Sequence, residues 1–286
     1  MRTNPGTSIV GGMIAATALA VVAACQTPSD RTPPQPAPAA QPPTAEAAAQ
    51  SERVDTILTR LEHREVRDLH AKVRWETAYL TDEPGEEEKK FGQIWYLQQA
   101  PVAKFKVRFE RKVVGSRAEP LQEEHLFDGR WYVELQGKGK TLTRNEIRRE
   151  GDTSNPYKLG EGEFPLPFGQ KKADILREFD VTLVPPASDD PAETDHLRLM
   201  PRPESGTGRQ YARLDFWIAR QGRHAGLPVK VQAGKKDGAG ALNSTLTITF
   251  SDIELNGGFS SGVFVIEKPP GFEEIVERLD DKPTDD

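Results

Sequence analysis

The stretch Lys104-Phe105-Lys106-Val107-Arg108-Phe109-Glu110 alternates charged and apolar side chains without a break. Successive side chains of a strand point to opposite faces, so Phe105, Val107 and Phe109 share one face of a sheet and the charges share the other. Shorter runs of the same kind flank it on both sides, with strand character setting in from Lys72 onwards. They lie at Ile94–Leu97, Glu124–Phe127, Trp131–Leu135, Val181–Val184, His196–Met200, Ala212–Ile218, Val229–Gln232, Leu246–Phe250 and Val263–Ile266. Turn chemistry separates them at Asp128-Gly129, Gln221-Gly222, Lys236-Asp237-Gly238 and Asn256-Gly257-Gly258. Many short strands joined by tight turns read as a mainly β chain, a closed or half-closed antiparallel sheet.

Helical periodicity is confined to three places. Val54, Ile57, Leu58 and Leu61, with Leu69 further on, follow three- and four-residue spacing. Ile175, Leu176 and Phe179 share a face over Lys171–Phe179, and Ile275, Val276 and Leu279 predict a last helical turn over Phe272–Leu279. A sheet with one aromatic-aliphatic face must cover it, and the first two helices are available to do so. Packed tightly they complete an ordinary core; acting as lids they leave an apolar pocket.

The N-terminus reads differently. Arg2 is followed by an uncharged run from Ile9 to Ala24, about 16 residues, short for a membrane span and suited to a signal-peptide core. It ends in Val22-Ala23-Ala24-Cys25, which contains the sole cysteine of the chain. A small-residue cleavage site followed at once by cysteine resembles the bacterial lipobox, which implies a lipidated Cys25 as a membrane anchor; a plain secretory signal or an uncleaved anchor is the alternative. Residues 1–24 are then the signal peptide. Residues 25–52, rich in Pro, Ala and Gln, form an extended tether too poor in large apolar side chains to offset its own ordering entropy. Gln26 is not the aspartate of an inner-membrane retention signal, which favours the outer membrane over the inner within a periplasm-facing cell envelope.

Residues 53–280 make one β domain, and 281–286 an acidic tail. A net charge of −6 without a long basic run argues against a nucleic-acid partner. A single cysteine leaves no disulfide framework, so the domain depends on its own core.

The order of pieces resembles the LolA/LolB-like lipoprotein-carrier superfamily. Gly92-Gln93-Ile94-Trp95-Tyr96-Leu97-Gln98-Gln99-Ala100-Pro101 resembles its first strand-to-turn segment, and Leu126-Phe127-Asp128-Gly129-Arg130-Trp131-Tyr132 its next hairpin. Leu197-Arg198-Leu199-Met200-Pro201 looks like the later strand, and Phe264 with Pro269-Pro270-Gly271 like the closing motif. The resemblance implies a half-open antiparallel β-barrel with helices over its concave face, binding acyl chains of lipoproteins or lipids for transfer or insertion. The arginine that soluble carriers of this family place before the first proline is Ala100 here.

The candidate acyl-binding wall is Trp75, Trp95, Phe105, Val107, Phe109, Trp131 and Phe216, with Trp217 beside them; a filled core is the alternative for each. Phe164, Leu166 and Phe168, in Phe164-Pro165-Leu166-Pro167-Phe168-Gly169, form either a loop that touches membrane or cargo or a proline-braced plug on the sheet.

Catalytic and metal chemistry find little support. His63 and His70, seven apart, fall near one face of the first helix without a third ligand, and His125, His196 and His224 stand apart. Gly258-Phe259-Ser260-Ser261-Gly262 has the wrong spacing for a nucleophile elbow, Glu86-Glu87-Glu88 lies in a charged turn, and the glycines of Gly234–Gly240 lack a following Lys-Ser/Thr. No cofactor, metal or catalytic set is expected. The rival to a carrier is a structural or sensing lipoprotein with a filled core and an envelope protein partner.

Overall fold

The computed structural model describes residues 45–80, 87–99, 102–152 and 167–279. Cys25, Ala100, Phe164, Leu166, the signal and the acidic tail lie outside these residues. Helix α1 (Ala45–His63) buries Val54, Ile57, Leu58 and Leu61, the stripe expected of it. It begins at Ala45, inside the segment expected to be tether, because Ala-Glu-Ala-Ala-Ala-Gln combines strong helix formers without a proline. Leu69 and His70, expected on this helix, belong instead to the first strand, so His63 and His70 do not share a helix face.

Six strands follow in a meander: β1 (Asp68–Tyr79), β2 (Glu88–Leu97), β3 (Lys104–Val114), β4 (Arg117–Phe127), β5 (Trp131–Gln136) and β6 (Thr141–Glu146). Helix α2 (Lys172–Glu178) leads into a second run: β7 (Phe179–Val184), β8 (Thr194–Pro201), β9 (Tyr211–Ala219), β10 (Pro228–Lys236) and β11 (Leu242–Leu255). A last strand, β12 (Glu273–Glu277), ends the described chain. Together they form one twelve-stranded sheet in the order β12-β6-β5-β4-β3-β2-β1-β11-β10-β9-β8-β7. The two runs meet where β1 pairs with β11, from Leu69 opposite Leu255 to Tyr79 opposite Ser244. The sheet is open, with β7 and β12 as its edges, so the architecture is the expected mainly β, half-open sheet with helices on one face.

Alternation separates the two faces. The face under the helices, the inner face, gathers Leu69, Ala71 and Val73 from β1, Ile94 and Tyr96 from β2, and Phe105, Val107 and Phe109 from β3. Leu214, Phe216 and Ile218 of β9 and Ile248 and Phe250 of β11 complete it with the α1 stripe, Ile175 and Phe168. Gly92 is where this face is tightest. It sits between Val73 and Phe109, and a Cβ there would lie 1.9 Å from the Arg108 carbonyl oxygen and 2.8 Å from the Phe109 Cα. A register shift falls at the same point of the β2–β3 ladder. With no side chain on Gly92, Trp75 of β1 and Phe109 of β3 meet across β2, ring centroids 6.1 Å apart and edge to face.

The outer face carries a smaller core of its own, with Leu126, Val133, Leu135 and Leu142 covered by Phe264 and Ile266. The segment before β12 crosses this face, and Lys106 Nζ donates to the Val265 carbonyl (2.9 Å). Two expectations fail here. Val263–Ile266 is not a strand: Val263 and Phe264 end a 3₁₀ turn (Ser261–Phe264), and Val265 and Ile266 follow outside any helix or strand. Phe272–Leu279 is not helical, because Glu273–Glu277 forms β12 and pairs in parallel with β6. All five of its residues are exposed, so a helix there would have no buried stripe to hold it. Backbone pairing and the Arg144–Glu274 ion pair (2.8 Å) hold the extended form instead.

Candidate functional site

The inner face is apolar and closely filled. Phe105, Val107, Phe109 and Phe216, four of the residues expected to line an acyl site, are there and are at most 2 % exposed. Trp75 joins them, half-buried, through its contact with Phe109. Trp95, Trp131 and Trp217 do not. Tyr96 and Ile94 take the inner positions of β2, which turns Trp95 to the outer face, where it stacks on His70 (5.2 Å). Trp131 packs against the outer-face core. Trp217 stacks on His196 (4.2 Å) and its Nε1 donates to Asp190 (2.5 Å). The physical reason is register: Ile94 opposes Val107, Leu126 opposes Val133 and Leu197 opposes Phe216, so each tryptophan falls on the parity away from the helices.

Phe168, read with its neighbours as either a loop that touches membrane or cargo or a proline-braced plug on the sheet, is buried. Its ring lies 5.8 Å from Tyr96 and 5.3 Å from Phe250, making it part of the inner core. The Tyr96 hydroxyl donates to Gln98 Oε1 (2.5 Å), and burial pushes the phenol up to about 12.

The cover is fastened at its rims by polar contacts. Arg60 of α1 pairs with Asp195 of β8 (2.6 Å), and Arg64 donates to the Arg223 carbonyl (2.5 Å). Lys172, just inside α2, donates to Thr59 (3.1 Å) and pairs with Asp55, both on α1. Between α1 and the edge strand β7 a cleft of about 280 Å³ opens, lined by Ala47, Val54, Leu58, Leu176, Val181 and Leu183 among others. There the apolar interior approaches solvent beside β7, an edge of the sheet among the described residues.

A charged network interrupts the inner face on β2, β4 and β5. Lys90 opposes Trp75 and therefore points inward. Its Nζ donates to both carboxylate oxygens of Glu123 (2.9 and 3.0 Å). His125 Nε2 lies 2.8 Å from the same carboxylate, and its Nδ1 lies 2.9 Å from the Tyr132 hydroxyl. With the proton on Nε2, histidine donates to Glu123 and accepts from Tyr132. Burial alone would raise the Glu123 carboxyl, but the His125 hydrogen bond and the Lys90 charge outweigh it and hold the group below its ordinary value. Sequence reading missed this set. Glu123 and His125 share a parity with Phe127, and Glu124 shares the other with Leu126, so each parity holds both polar and apolar side chains. Among the described residues no group of three or more His, Cys, Asp or Glu is placed to hold a metal ion.

No protein-family model and no curated protein matches this chain. Solved structures similar to it include an uncharacterized conserved protein from Thermus thermophilus, with 11 % identity and a TM-score of 0.43, covering 79 % of this chain and 99 % of that one. A LolA superfamily protein from Nitrosomonas europaea is 14 % identical at a TM-score of 0.36, covering 74 % and 97 %. LprF from Mycobacterium bovis is 12 % identical at 0.38, covering 74 % and 96 %. These likenesses are faint.

Proposed function

We propose that this protein binds acyl chains of lipids or lipoproteins between the inner face of its open sheet and the covering helix α1, as a carrier anchored in the cell envelope through a lipidated Cys25. The observation that carries the reading is the construction of the cover. One long helix with four buried apolar side chains, fastened by a few ion pairs, lies over an aromatic face whose edge opens in a cleft. Rim ion pairs of this kind are worth at most about 1 kcal/mol each, so the helix can lift without breaking the sheet. An acyl chain would replace the Val54, Ile57, Leu58 and Leu61 contacts at about 25 cal/mol per Å² of buried apolar surface. Chemistry on the cargo is not required, and release needs only a more favourable apolar environment at the destination.

The close filling of Phe105, Phe109 and Phe216 favours a second reading, in which the interior is a permanent core and the lipoprotein recognises a protein partner. Native mass spectrometry on the full chain, stripped of detergent and offered phospholipid vesicles, separates the two. Stoichiometric lipid adducts that disappear in a folded Phe109→Glu variant support the carrier; a persistently clean apo mass supports the filled core.

A further inference from the structure

The charges that interrupt the inner face form a ladder of alternating sign. Glu123 pairs with Lys90 (2.9 Å), Lys90 with Glu88 (3.6 Å), and Glu88 with Lys112 (3.5 Å). All four face inward, since Lys90 opposes Trp75 on one side and Lys112 on the other, and Glu88 lies two residues from Lys90 on the same strand. Glu119, opposite Lys112, is taken up by Arg117 (2.9 Å). Side-chain exposure is 7 % at Glu123, 20 % at Lys90, 30 % at Glu88 and 27 % at Lys112, so the ladder has one buried end and one half-exposed end. Its buried end touches the aromatic wall, with Lys90 Nζ 5.7 Å from the centre of the Phe109 ring.

Two acids and two bases therefore run from the acyl wall towards solvent. A buried ion pair is seldom retained for stability, because apolar residues of similar volume serve as well or better. We propose that this ladder is a headgroup subsite and that the cargo is an amphiphile with a zwitterionic head, an ammonium joined to a phosphate; the inference rests on the carrier reading. The phosphate would take the ammonium groups of Lys90 and Lys112 while the ligand's ammonium takes the carboxylates of Glu88 and Glu123, so each ion pair is exchanged for another of the same kind. An anionic head would satisfy the lysines but face two carboxylates. An uncharged head would offer neither exchange.

The test compares three lipids with identical dioleoyl chains: phosphatidylethanolamine, phosphatidylglycerol and diacylglycerol. Uptake by the full chain is read by native mass spectrometry with each lipid in competition. The expected order places phosphatidylethanolamine about tenfold ahead of the other two. Glu88→Lys, a substitution at a half-exposed rim position, should invert the preference towards phosphatidylglycerol, and Glu88→Gln should flatten it. A structural role for the network would not produce that inversion. Equal uptake of all three by the parent, or an order unchanged in Glu88→Lys, overturns the headgroup subsite and leaves the carrier reading standing. Uptake of none of the three overturns both.

Discussion

Gly92→Ala is the substitution that most directly tests how the sheet is bent. The added methyl would stand 1.9 Å from the Arg108 carbonyl oxygen, 2.8 Å from its carbon and 2.8 Å from the Phe109 Cα. All three are backbone atoms, so no side-chain rotation relieves the clash, and β2 and β3 must part by more than about 1 Å at that point. Overpacking of a closed interior costs about 1–3 kcal/mol, and each ladder hydrogen bond stretched or lost adds about 1 kcal/mol. The Trp75–Phe109 contact across β2 would loosen as well. The sum is about 3–5 kcal/mol, a large share of the roughly 5–15 kcal/mol by which a domain is typically stable. Urea denaturation followed by tryptophan fluorescence measures it as a fall in midpoint with little change in slope. Gly257→Ala is the control: apart from its chain neighbours nothing lies within 4 Å of where the added Cβ would stand, and the change should be neutral or mildly stabilising. If Gly92→Ala lies within about 0.5 kcal/mol of Gly257→Ala, the close approach of β2 to β3 is not as described.

Two further outcomes follow from the same geometry. Trp95→Ser removes an outer-face ring that stacks on His70, and should cost about 2 kcal/mol while leaving lipid uptake at the parental level; loss of uptake in a folded variant would put Trp95 in the cargo path. Tyr96 tests burial by pH. Its phenol ionises at about 12 in the folded protein against 10.0 ordinarily, so the neutral form is the one the fold favours. Its contribution is complete below about pH 10 and is lost as pH rises through about 12, in total about 3 kcal/mol. Tyr96→Phe should abolish that part of the alkaline loss, and a titration followed by tyrosinate absorbance should show one of the five tyrosines ionising late. Identical pH slopes for parent and Tyr96→Phe would contradict the buried, raised phenol.

Much of this architecture is written in local periodicity. Lys104–Glu110 separates its faces by alternation alone, and Val54, Ile57, Leu58 and Leu61 declare a helix with one buried stripe, because both patterns are consequences of backbone geometry within a few residues. Alternation divides a strand into two sets of side chains, but where both sets are apolar it does not say which set faces inward. Ile94 and Tyr96 compete with Trp95 and Leu97 on β2, and hydrogen-bonded register with β3 decided for the first pair, sending two of the expected wall tryptophans, Trp95 and Trp131, to the outer face. Glu273–Glu277 became a strand because β6 offered an edge, a partner about 130 residues away that no local window contains. The Lys90–Glu123–His125 network likewise exists only once three strands are aligned, since its members are scattered over β2 and β4 and acquire their hydrogen bonds through pairing with Trp75, Phe109 and Val107. Periodicity determined the elements and their two-faced character; register and long-range pairing, which depend on atoms far apart in sequence, determined which side chains the interior holds.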